Sequence, residues 1–237
     1  MFSFARLSLF LATVSALNFP SQALLPRQES GICSTTNAQI ILPDNQTMLV
    51  APSEGPSYIA LAIGVQNYTC ASSGTWTNVG AVAELFDISC LYGTAQFAGL
   101  PQNAFALWSQ LPPATTIQGI INILAPLHTP LVLGQHYFVP SPSGSGVSPK
   151  FDFTSASLAG HPDAFVIAAK AGDIPSPAGP PAIDWLELNN VQGNLAKQVF
   201  RIDTVNGSPP SSCQVGESPI SVKYAAMYCE CSCRKSG

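Results

Sequence analysis

Glu84 and Asp87 sit in the apolar block 81–90, Asp152 lies between Phe151 and Phe153, and Asp184 and Glu187 flank Trp185. Carboxylates set among apolar neighbours are what a glycosidase-type hydrolase needs, one as acid and one as base or nucleophile, facing each other across a cleft. The same residues also serve as buried acids held by a cation or a backbone amide. Lys and Arg total only 9, so Arg201 is the expected salt-bridge or hydrogen-bond hub, a task its planar fork suits better than a lysine does. The three histidines, His128, His136 and His161, are scattered, and nothing in their spacing builds a metal site. His136 precedes Tyr137 in an expected strand, where a histidine is more often structural. Neither expected mature start places a histidine first, as an N-terminal copper site would require. His136, Asp152, Arg201, Glu84 and Asp87 are therefore the candidate pocket residues, and whether they converge decides between enzyme and binding module.

Several chemistries have no motif to carry them. The string Gly144-Ser145-Gly146-Val147-Ser148-Pro149 has Pro where a dinucleotide-binding loop needs its third glycine, and it sits in a Pro/Ser loop. There is no phosphate loop, no Gly-x-Ser-x-Gly elbow and no His-Glu-x-x-His pair. No cofactor is expected. Trp76, Trp108 and Trp185 are the rings that could stack on a sugar; core packing is the plainer role, favoured for Trp185 and, by less, for Trp108. Trp76, in Gly74-Thr75-Trp76-Thr77-Asn78, reads as an exposed turn.

The elements that must position these residues belong to an exported chain. Arg6 precedes an apolar run over 7–17, and Val14-Ser15-Ala16 supplies the small residues of a cleavage site. Residues 1–16 read as a signal peptide too short to span a bilayer. A second cut after Ser21-Gln22-Ala23 would change the start by a few residues. Residues 17–32 read as a flexible leader with a processing point at Pro26-Arg27. The mature chain of about 215–220 residues is long enough for one large β domain. Charged residues are 9% of the chain, against about 25% in an ordinary protein. Net charge is −4 with no basic cluster, a surface for which nucleic acid and anionic membrane are poor partners. Asn45, Asn67 and Asn206 open glycosylation sequons.

In an oxidising compartment Cys33, Cys70, Cys90 and Cys213 read as two disulfides. Three connectivities are open, and the favoured one joins Cys70 to Cys90 across neighbouring strands and Cys33 to Cys213 across the domain. Period-2 alternation recurs at 57–65, 81–88, 117–124, 135–139, 150–153, 183–188, 196–203 and 220–228, and 164–169 is a continuous apolar run. In the first of these, Ile59, Leu61, Ile63 and Val65 share one face, with small residues and Tyr58 on the other. Pro-rich stretches at 140–149 and 174–181 read as surface loops. One short helix is expected at 102–110, entered through Pro101. Eight or nine strands with at most one short helix predict a single-domain antiparallel sandwich or barrel.

Several blocks together resemble one family. They are Gly-Val-Gln-Asn-Tyr-Thr-Cys at 64–70, Gly-Ala-Val-Ala-Glu-Leu-Phe-Asp-Ile-Ser-Cys at 80–90 and Gly-Gln-His-Tyr-Phe-Val at 134–139. Asp-Trp-Leu-Glu-Leu at 184–188, Arg-Ile-Asp-Thr at 201–204, the stretch 209–213 and Ser-Val-Lys-Tyr-Ala-Ala-Met-Tyr at 221–228 continue the likeness. The chain from Cys33 to Tyr228 resembles fungal secreted members of the domain-of-unknown-function 3455 family. The resemblance implies no established activity. The malate dehydrogenase label carried by some members finds no cofactor loop here. Two departures stand out. Asn206-Gly207 replaces the usual Gly-Gly, and Cys229-Glu230-Cys231-Ser232-Cys233 replaces the aromatic end of the last strand. Residues 33–228 thus read as the β domain and 229–237 as a Cys-rich tail, either a gene-model error or a run of reactive thiols able to take a soft metal. The expectation is a secreted binding or structural module touching cell-wall carbohydrate, with a hydrolase built on strand carboxylates as the alternative.

Overall fold

The computed structural model describes residues 33–127, 129 and 131–231. The expected leader, His128 and residues 232–237 lie outside them. Eight strands follow in chain order: β1 (Tyr58–Cys70), β2 (Trp76–Asp87), β3 (Val132–Pro140), β4 (Val147–Asp152), β5 (Phe165–Ile174), β6 (Trp185–Gln192), β7 (Gln198–Asn206) and β8 (Ile220–Cys231). Each pairs antiparallel with the next, and β8 returns to β1, so the expected all-β domain is a closed up-and-down barrel.

An eight-stranded barrel leaves an interior just wide enough for side chains to fill. Here β1 supplies the small side, Ala60, Ala62 and Gly64, directly across the ladder from Tyr228, Ala226 and Tyr224 of β8. Phe151, Phe153, Leu85, Val166 and Val199 complete a fully buried interior. Two strand glycines answer to close approach: a Cβ on Gly64 would lie 2.3 Å from Val82 O, and one on Gly134 would lie 2.0 Å from Asp152 O.

The conspicuous stripe of β1 points the other way. Ile59 and Leu61 join Phe200, Ile202, Met227 and Cys229 on the outside of the barrel, under Ala38, Ile40 and Leu49 of the N-terminal segment. Ile63, Val65 and Val82 pack on the same outer side against two helices in the β2–β3 connection, α1 (Leu100–Gln110) and α2 (Ile117–Leu124). The helix α1 was expected. The segment of α2 reads as a strand by alternation, but Ile117, Ile120, Ile121 and Leu124 fall at i, i+3, i+4 and i+7. Thr116 caps it, its side chain accepting from Gly119 N at 3.0 Å.

The disulfides are Cys33–Cys90 and Cys70–Cys213, not the favoured pairing. The reason is hairpin geometry. Cys70 pairs with Trp76 at one end of the β1–β2 ladder, whereas Cys90 lies beyond Asp87 at the other end, where Asp87 meets Ala60. Twelve residues of β2 at about 3.3 Å each separate the two thiols by far more than a disulfide spans. The strand β8 also continues past Tyr228. Cys229 is buried on the outer face and Glu230 is wholly buried, so these two residues are barrel wall and not tail.

Non-reducing peptide mapping is expected to recover Cys33–Cys90 and Cys70–Cys213 peptides and no Cys70–Cys90 link. Replacing Cys70 and Cys213 by Ser, which opens a 143-residue loop, is expected to cost about 2–5 kcal/mol in urea unfolding.

Candidate functional site

Strand register puts two of the candidate carboxylates in one row. Glu84 of β2 lies beside Gln135 of β3, and Gln135 lies beside Asp152 of β4, all on the outer face. At about 4.8 Å per strand, the two acids are roughly 10 Å apart at their backbones. Their environments pull them in opposite directions. Lys150 Nζ sits 2.7 Å from Asp152 Oδ2, Tyr137 Oη donates to the same oxygen at 2.6 Å, and Thr154 donates from both N and Oγ1 to Oδ1. Burial alone would raise this carboxyl, but those four partners hold it at about 2. Lys150 also lies 4.5 Å from the Phe165 ring centroid, on the same face. Glu84 is 1% exposed, and neither carboxylate oxygen has a hydrogen-bond partner among the described residues. Burial pushes it up to about 7, offset only in part by the neighbouring Gln135 carboxamide. Glu84, Gln135, Leu124, Ala125, Val132 and Ser155 are among the residues lining a cavity of about 220 Å³.

His136 and Arg201 occupy the barrel interior instead. His136 stacks on Phe151 with centroids 4.4 Å apart, and its Nδ1 donates to Lys150 O at 3.0 Å, an acceptor that fixes the proton on Nδ1. Burial pulls His136 down to about 4, and the Arg201 charge pushes the same way. Arg201 pairs with Tyr228 across the β7–β8 ladder and donates from Nε and Nη2 to Asp184 O at 3.0 and 2.9 Å. The expected hub therefore holds a backbone carbonyl, not an acid. Asp87 is elsewhere again, accepting from Ser89 N at the end of β2, near Tyr58 and Glu230.

The five candidates thus fall into three places: His136 and Arg201 inside, Glu84 and Asp152 on one outer face, and Asp87 at the barrel end. Asp152 is fully engaged by its partners, which leaves Glu84 without a second available carboxylate across a cleft. Glu187, the fifth acid singled out, accepts from Val50 N and Gln198 Nε2. Among the described residues no group of three or more His, Cys, Asp or Glu is placed to hold a metal. Sequence reasoning missed Glu230, which is wholly buried with both oxygens unpartnered and its carboxyl raised well above 4.5 by burial. It also missed the Lys150–Tyr137 bracket around Asp152, although the alternation Lys-Phe-Asp-Phe at 150–153 places Lys150 and Asp152 on one face.

A second concavity lies between the helices and the barrel. Leu61, Ile63, Phe86, Leu107, Trp108 and Ile120 are among the residues of a groove of about 710 Å³. Trp108 is buried against it, with Nε1 donating to Gly64 O at 2.9 Å and Lys223 Nζ 4.3 Å from its ring. Trp185 is buried too, and Trp76 keeps a partly open ring while its Nε1 donates to Ser212 O. Of the sequon asparagines Asn45 is exposed, while Asn206 is half-buried with Nδ2 donating to Lys223 O at 2.7 Å.

Two acid limbs of stability follow. Asp152 has a folded value of about 2 against an ordinary 3.8, so its contribution is complete above 3.8 and lost as pH falls toward 2. His136 at about 4 against 6.5 contributes fully above 6.5 and loses that contribution as pH falls from 6.5 to 4. In urea unfolding across pH, Asp152→Asn is expected to cost about 1–3 kcal/mol at pH 7 and to flatten the limb below pH 4. His136→Phe is expected to flatten the limb between 6.5 and 4; unchanged limbs would contradict both assignments.

No curated protein and no solved structure matches the chain. A family model described as "Protein of unknown function (DUF3455)" matches residues 51–229, from just before β1 into the last turn of pairing in β8. With that match covering most of the chain, this protein belongs to the DUF3455 family.

Proposed function

We propose that this chain is an exported, disulfide-bonded barrel that binds its ligand without turning it over, and that the ligand is a small apolar molecule seated in the groove under α1 and α2. The observation that carries this reading is the groove itself. It is a predominantly apolar concavity of about 710 Å³, with Asn103 and Gln110 as its polar lining. Small-molecule sites have this character: apolar walls with a few polar groups that fix orientation. The barrel interior, filled by Tyr224, Tyr228 and Phe151, offers no comparable space. Leu107 and Leu111 line the groove yet remain exposed, and covering such surface is worth about 25 cal/mol per Å².

Export is supported by the leader read in residues 1–16 and by two disulfides, which persist in oxidising compartments. Contact with cell-wall carbohydrate rests on Trp76, the one tryptophan with a partly open ring. The hydrolase alternative has less support, because Asp152 is saturated and Glu84 stands alone in its cavity.

The groove is tested by fluorescence titration with N-phenyl-1-naphthylamine and its displacement by dodecanol. Saturable binding is expected in the intact protein. The exposed pair Leu107→Asp and Leu111→Asp should leave Tm within a few degrees and weaken binding at least tenfold. Absence of saturation, or equal affinity in the variant, removes this reading. Retention on insoluble chitin, glucan or cellulose, lost in Trp76→Ala, tests the sugar contact separately; no retention on any of them drops it.

A further inference from the structure

Glu84 is out of place by ordinary rules. A carboxylate removed from water is stabilised by a cation or by hydrogen bonds; here no cation bears on it among the described residues, and the one group that favours its charged form is the neighbouring Gln135 carboxamide. It is also one of the residues lining a cavity of about 220 Å³, on the order of seven waters' worth of liquid volume. The rest of the lining has two characters. Gln135 and Ser155 offer neutral oxygens, while Leu124, Ala125 and Val132 make apolar wall. Leu124 is also the last residue of α2, so the negative end of that helix dipole borders the same space. The nearest cation in the strand register, Lys150, is on β4, already bound to Asp152 beyond Gln135.

We propose that this cavity is a binding site for a small protonated amine with a short aliphatic stem, Glu84 acting as its counter-ion. A primary ammonium brings three donors, which Glu84 and its neutral neighbours accept. The stem then lies against Leu124, Ala125 and Val132. A divalent ion is served less well: calcium takes 6–8 oxygen ligands, usually several of them charged. This cavity holds one carboxylate, and no cluster of three or more metal-ligating side chains occurs among the described residues. The site is distinct from the groove. Ile117 and Ile120 of α2 line the groove, and Leu124 at its far end lines the cavity.

Ionised Glu84 is the binding form, so the amine is held more tightly above pH 7 than below it. The groups bearing on that titration are its own burial and Gln135, with no charged side chain contributing among the described residues.

The test titrates butylammonium chloride, butanol and calcium chloride into the full-length protein by two-dimensional NMR at pH 8. Butylammonium is expected to saturate, shifting residues around Leu124, Val132 and Ser155. Glu84→Gln, which keeps shape and removes charge, should bind it at least tenfold more weakly while unfolding at the same or a higher temperature. Butanol should bind more weakly than butylammonium, and equally in both proteins. Lowering the pH to 5 should weaken butylammonium binding in the wild type and leave the variant unchanged. No saturation by butylammonium, equal affinity in Glu84→Gln, saturation by calcium in its place, or affinity unchanged at pH 5 would each overturn the proposal. None of these outcomes touches the groove, whose probe is apolar and whose variants lie on α1 and in the loop after it.

Discussion

Closure of the ring by β1 against β8 is the constraint on which the rest of this molecule depends. The ladder from Tyr58 with Glu230 to Tyr68 with Ile220 removes the sheet's last free edge. It is possible because the two strands complement each other in size. Tyr228 and Tyr224 fill the lumen from β8, and Ala60 and Gly64 make room for them on β1. His136 enters the same layer, stacked on Phe151 and tilted against Tyr228. A larger residue at Gly64 would meet Val82 O, so the small side of β1 is a requirement of closure and not a default. Side chains fill a lumen packed in this way, and the groove and the cavity beside Glu84 both lie on the outer side of the sheet.

Both faces of β1 are therefore buried, for different reasons. The inner face is small and packed by β8. The outer face carries the branched aliphatics and is covered by the N-terminal segment and by α1 and α2. Double coverage also explains the buried ionisable groups. A strand side chain that would face solvent in a simple barrel, such as Glu84, lies under an added layer. Burial favours the neutral form in each case, with opposite consequences for stability. His136, depressed, favours the folded state at higher pH, whereas Glu84, raised from 4.5 to about 7, favours it below 4.5 and less as pH climbs. The fold carries opposed pH dependences from groups on opposite sides of one sheet.

Much of the barrel was legible because its signal is period-2 alternation: seven of the eight segments read this way became strands, as did the continuous apolar run at 164–169. The exception, α2, was misread because four isoleucines favour strands, and at eight residues the 2-fold and 3.6-fold patterns overlap. The inside and outside of β1 were not legible. Alternation says that two faces differ, and without the layer outside, the more apolar face looks like the core. The disulfide pairing failed for a related reason: Cys70 and Cys90 are close in sequence but sit at opposite ends of one hairpin. At the site, Asp152 was rightly singled out as a strand carboxylate, yet its partners Tyr137 and Lys150 depend on β3–β4 register, which no local pattern states. Glu230 was hidden by the assignment of 229–237 to a tail.

Both the groove and the cavity beside Glu84 arise where the β2–β3 connection is laid against the barrel wall. The helix α2 is anchored by Ile117 and Ile121, which with Trp108 form a small cluster on the outer sheet. Its two ends then roof different surfaces. Toward its N-terminus the neighbours are Ile63, Phe86 and α1, and the space between them is apolar. Toward its C-terminus the neighbours are Glu84 and Gln135, and the space is charged on one side only. The same eight-residue helix thus separates an apolar groove from an acidic cavity. An eight-residue helix has little stability of its own. The contacts of Ile117 and Ile121 with Trp108 and the outer sheet therefore set where it sits.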